Sequence, residues 1–154
     1  VDRATICGSI IVAAVANVLF ACAVGACLAA LMLNNASPRL RHRLQWTVAV
    51  CVVTLIVADI VNLLFEAALM SGSVLGADFS VLVPVLTQSH FGAAWSIGLV
   101  ALIVWTLLSV APRGFGRPAG TSVALFAAAV FAFSKAASSH AADAGDFSLP
   151  EWIH

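Results

Sequence analysis

The sequence predicts an all-α, polytopic membrane protein: a bundle of four transmembrane helices with both termini on the outer face. Three observations carry that prediction. First, 62% of the 154 residues are apolar and only 9% are charged, against roughly 25% charged in soluble domains. A chain so apolar could not cover a water-facing surface, so lipid must be its solvent over much of its length. Second, there are four apolar stretches of about 20 residues or more, the length that crosses the hydrocarbon core. Third, the few charges are clustered between these stretches rather than spread through them.

The first span is expected over about residues 4–33. No charged residue occurs between Ala4 and Pro38, and Asn34, Asn35, Ser37 and Pro38 supply the stop. The stretch is too long for the hydrophobic part of a cleaved signal peptide and is expected to be kept as a helix. Arg39, Arg41, His42 and Arg43 read as a short basic turn. Trp46 opens the second span, which runs to Met70. Gly72, Gly76 and Asp78 then mark a loop. The apolar piece Phe79–Thr87 is short and interrupted by Pro84, so it reads as surface-lying or re-entrant within a short outer segment, 72–90. The third span is expected over 91–111 and the fourth over 119–140, joined by a compact turn holding Pro112, Arg113, Arg117 and Pro118. Residues 141–154 form a polar, acidic tail. The whole is read as a single transmembrane domain.

Charge sets the expected orientation. Five of the seven basic residues lie in 39–43 and 113–117, two loops separated by an even number of spans. The positive-inside rule places both in the cytoplasm. Asp2, Asp78, Asp143, Asp146 and Glu151 fall on the opposite face, with both termini. Trp46, Trp95 and Trp152 fall where an aromatic belt would lie, whereas Trp105 is too deep for one.

The same composition excludes several functions. A net charge of zero leaves no electrostatic footprint for nucleic acid. No GxSxG, P-loop or HExxH occurs, and no enzymatic activity is expected. Cys7, Cys22, Cys27 and Cys51 all sit in apolar runs without a CxxC pair. They read as small hydrophobes, with a thiolate path for a soft metal as the weaker alternative.

The polar residues inside the spans are more informative. Asp59, Asn62, Glu66 and Met70 are spaced 3, 4 and 4 and share one face of the second span. A carboxylate at the centre of a membrane helix costs about 2.5–3.5 kcal/mol, so this face must turn inward. It reads either as a hydrogen-bonded packing seam or as an intramembrane path for ions or protons, involving Asp59, Asn62, Glu66 and Lys135. Lys135, the only lysine, lies near the outer end of the fourth span. It is expected either to extend to the interface or to pair with Glu66. His90, His140 and His154 are all expected on the outer face; His42 belongs to the basic turn. Each of the three alone reads as a polar interface residue. Together they suggest a metal site assembled across helices, with Glu66 and Met70 joining from the second span. Imidazole suits copper, zinc, iron and nickel, and methionine favours Cu(I).

Several short motifs carry a family resemblance. Ala68-Leu-Met-Ser-Gly-Ser73 is followed by Gln88-Ser-His-Phe-Gly92-Ala-Ala-Trp95, then by Ser138-Ser-His140-Ala and finally by His154. In this order they resemble the N-terminal portion of the bacterial copper resistance protein D family, over roughly residues 64–154. The resemblance implies a multi-pass protein of the bacterial inner membrane with both termini periplasmic. It implies that copper is taken from the periplasm for import or transfer, with His140 and His154 at the family's two histidine positions. The early histidine common in the family's first span is absent here. Besides the bilayer, the implied partners are a periplasmic copper carrier and further membrane subunits or a C-terminal half. Two alternatives follow from the residues: an accessory or assembly subunit of a larger membrane complex, and a membrane cytochrome. The latter is disfavoured because no mid-span histidines face each other to ligate haem.

Overall fold

The computed structural model describes residues 3–33, 37–71, 83, 86–87, 90–111 and 118–138, the side chains of 69–71 and 90 excepted. It contains four long helices: α1 (Arg3–Met32), α2 (Pro38–Ser71), α3 (His90–Val110) and α4 (Pro118–Ala137). All four are long and apolar enough to cross a membrane, and no strand occurs among the described residues. The expected segments 72–90 and 141–154 lie almost wholly outside the described residues.

Helix α2 begins earlier than the sequence suggests. Arg39–Arg43 is not a turn but the first part of the helix. Pro38 occupies the first helical position, where its missing N–H costs nothing. Ser37 precedes it as the cap, accepting from the Leu40 N–H through its carbonyl at 3.0 Å and its Oγ at 3.4 Å. At about 1.5 Å per residue, the 34 residues of α2 reach about 51 Å. That exceeds the hydrocarbon thickness and carries the arginines clear of it. His42 is not idle there, since its Nε2 accepts a hydrogen bond from Trp46 Nε1 at 3.0 Å. At the other boundary, α4 is described to Ala137, and His140, expected to close the fourth span, lies outside the described residues.

The helices form a four-cornered bundle in which α1 packs on α2, α2 on α3, α3 on α4, and α4 back on α1. Chain order makes every neighbouring pair antiparallel. Helices α1 and α3, and likewise α2 and α4, sit on the diagonals. One end, here called the basic end, carries the α1–α2 and α3–α4 connections. The far end holds the start of α1 and α3 and the finish of α2 and α4.

Small residues let the helices approach. A Cβ on Gly8 of α1 would lie 2.7 Å from the Phe65 ring of α2, and one on Gly98 of α3 would collide with Ser134 Oγ of α4. Buried alanines at 94, 101, 124, 127 and 128 continue this pattern. The middle of the bundle is aromatic. Phe20 of α1 meets the edge of Trp105 across the diagonal, with centroids 6.1 Å apart, and packs on Phe131 of α4 at 5.7 Å. The fully buried Trp105 is thus a core residue. Trp95, expected in an interfacial belt, is also inside, only 8% exposed. Outward-facing residues such as Ile10, Ile11, Val18, Val100 and Phe126 are apolar, as lipid contact requires. Intramembrane hydroxyls are satisfied within their own helices: Thr54 donates to the Val50 carbonyl, Thr106 to Leu102, Ser109 to Trp105 and Ser134 to Phe131.

Candidate functional site

The polar face of α2 does turn inward. Asp59 is 2% exposed, whereas Asn62 and Glu66 are half-buried toward the far end. The 3- and 4-residue spacing that put these residues on one face also stacks Glu66 two turns beyond Asp59, about 10 Å along the axis.

Lys135 does not pair with Glu66. Its Nζ donates to Asp59 Oδ1 at 2.8 Å. Helices α2 and α4 run parallel, and Asp59 lies 21 residues beyond the start of α2 while Lys135 lies 17 beyond the start of α4. Because α2 starts early, below its apolar stretch, counting from Trp46 places Asp59 too deep. The lysine therefore meets the nearer carboxylate across the bundle diagonal. The pair is lopsided: the Asp59 side chain is 3% exposed and that of Lys135 35%. The ammonium satisfies one carboxylate oxygen, but Asp59 Oδ2 is buried without a partner among the described residues. Among the described residues no hydrogen bond or ion pair reaches Glu66.

The expected metal ligands are only partly in view. Met70 lies in the last turn of α2 and His90 opens α3, which brings their backbones to the far end together with Glu66. The side chains of Met70 and His90, and all of His140 and His154, lie outside the described residues. Among the described residues no three histidine, cysteine or acidic side chains gather as a metal site. All four cysteines are free thiols; Cys27 is buried, Cys51 half-buried, and Cys7 and Cys22 are exposed at the lipid surface.

At the basic end, Gln45 of α2 donates through Nε2 to the Ser109 carbonyl of α3 at 2.8 Å. This satisfies one of the carbonyls left over at the end of α3. Sequence periodicity could not single out Gln45, since the acceptor is main chain. Trp95 was likewise missed as an interior residue. Its placement depends on the close approach of α3 to α4 at Gly98, which one helix's pattern does not reveal.

Four apolar helices enclosing a buried cross-bundle ion pair define a polytopic membrane protein with charge held inside the bilayer. Its family is specific: residues 4–148 match the copper resistance protein D-like, N-terminal domain, and the chain belongs to that family. It is a copper-related, multi-pass membrane protein. No curated protein and no solved structure matches it.

Proposed function

We propose that this chain takes copper at the far end of the bundle, from the periplasmic side of the bacterial inner membrane, for import or transfer. The observation that carries the reading is its family membership across residues 4–148. The helix geometry supports it, because Glu66, Met70 and the head of α3 at His90 converge on one end. His140 and His154 follow α4 in the sequence and complete the proposed ligand set of His90, His140, His154, Met70 and Glu66. Copper is here cargo, delivered by a periplasmic carrier and bound by a string of modest sites, since conduction requires release as well as capture. Asp59, Asn62 and Lys135 form the polar path beneath them. No catalytic step is assigned.

The test is metal analysis with X-ray absorption on the purified protein. Wild type should bind copper through nitrogen-containing ligands, and His140→Ala should lower the copper content. Unchanged stoichiometry and ligand type in the variant would defeat the assignment. A subunit role in a larger membrane complex is a second reading, favoured by one feature. The membrane-facing side of α3 and α4 carries an apolar groove of about 560 Å³ lined by Ala93, Ile97, Val130 and Phe133.

A further inference from the structure

Two buried polar atoms in the far half of the bundle lack partners among the described residues and are complementary: the acceptor Asp59 Oδ2 and the donor Trp95 Nε1. Unpaired polar groups are costly in a membrane interior, where no bulk water completes them. Their positions can be fixed from two independent cross-helix contacts.

The first contact is the bond from Gln45 to the Ser109 carbonyl, which sets α2 against α3. Asp59 lies 14 residues beyond Gln45, and Trp95 lies 14 residues before Ser109. In antiparallel helices these equal steps end at the same level, about 21 Å from the starting contact and within about 40° of the same helix faces. The second contact is the approach of Gly98 to Ser134, which sets α3 against α4. It places Lys135 opposite Ile97, within about 3 Å of the level of Trp95. Three helices thus bring a carboxylate, an ammonium and an indole N–H to one height, and both Asp59 and Trp95 are more than nine-tenths buried.

We propose that a water molecule sits between Trp95 and Asp59, making Asp59, Lys135 and Trp95 a hydrated polar site inside the bundle. The water accepts from Trp95 Nε1–H and donates to Asp59 Oδ2. The ammonium of Lys135 has three hydrogens, of which Asp59 Oδ1 takes one; a second can also be donated to the water. That gives the water about three partners, the usual number for a buried one. Lys135, the most exposed of the three, faces the exchange route, and half-buried Asn62 and Glu66 continue it toward the far end. The site stands whether or not copper is the cargo.

Infrared spectroscopy of the full chain in lipid, hydrated with D2O and then with ¹⁸O-labelled D2O, tests this. The expected result is a discrete O–D stretching band of a sequestered water that shifts with ¹⁸O. It should be lost in Trp95→Phe and in Asp59→Asn, and kept in Trp46→Phe, which alters an indole at the basic end. Trp95→Phe keeps the ion pair and most of the ring volume, so it decides the matter even where Asp59→Asn fails to fold. An ¹⁸O-insensitive spectrum would overturn the proposal, as would a band that persists in Trp95→Phe. A strongly lowered indole N–H stretch without ¹⁸O sensitivity would also overturn it, by showing a direct indole–carboxylate bond.

Discussion

The unequal burial of Asp59 and Lys135 makes a prediction that a simple count of ion pairs does not. Replacing Lys135 by Met removes the one donor, among the described residues, to a carboxylate whose side chain is 3% exposed. Breaking a buried pair in this way costs about 3–5 kcal/mol, because a charge is left stranded. Replacing Asp59 by Asn leaves instead an ammonium that is already 35% exposed on a flexible stem near the end of its helix. That ammonium can extend to the interface, and the Asn carbonyl can still accept a bond, so the cost should be about 1 kcal/mol. The double variant strands no charge and should resemble Asp59→Asn. A double-mutant cycle then yields a coupling of about 3–5 kcal/mol, well above the scatter of about 0.5 kcal/mol for independent sites. The assay is reversible unfolding in mixed micelles, followed by circular dichroism. If Asp59→Asn cost as much as Lys135→Met, or the coupling vanished, the pair would not be holding a buried carboxylate.

Two further predictions concern packing and orientation. Gly98→Leu should destabilise the protein by about 1–3 kcal/mol or separate α3 from α4, since any side chain there enters the space of Ser134; Gly25→Leu, where nothing lies within 4 Å, should be nearly neutral in the same unfolding assay. A reporter that is active only in the periplasm should be active when fused after His154 and inactive when inserted between Met32 and Pro38; the reverse pattern would refute the positive-inside assignment.

The membrane bundle was legible because its determinants are local. Span length, the absence of charge between Ala4 and Pro38, and the arginine clusters that separate the apolar stretches can each be read from one segment at a time. The inward turn of Asp59 was legible for the same reason, since hydrocarbon forbids the alternative. What could not be read was relative height. Whether Lys135 meets Asp59 or Glu66 depends on where α2 begins. That start is fixed by Ser37 and Pro38 capping a helix through residues that, by polarity alone, look like a turn. A shift of two turns exchanges one carboxylate for the other. Trp95 makes the same point about depth. An indole near a span end suits an interfacial belt, and only the glycine-mediated contact between α3 and α4 shows that it is enclosed.

Height also links the ion pair to the proposed copper pathway. A cation entering from the far end meets Glu66 first and Asp59 about 10 Å deeper on the same face of α2. At Asp59 it meets a carboxylate already neutralised by Lys135. At that level the pair is therefore electrically balanced, and the ammonium must yield before Asp59 can bind another cation. Lys135 is suited to yield because it is the exposed member of the pair and has a long stem; an arginine bound through two oxygens would be harder to displace. In the proposed copper pathway, Lys135 thus sets the threshold between the outer ligands and the interior. Lys135→Met should let cations reach Asp59 more readily, even as it lowers stability. Faster copper entry per folded molecule in that variant would support such a threshold, and unchanged or slower entry would refute it.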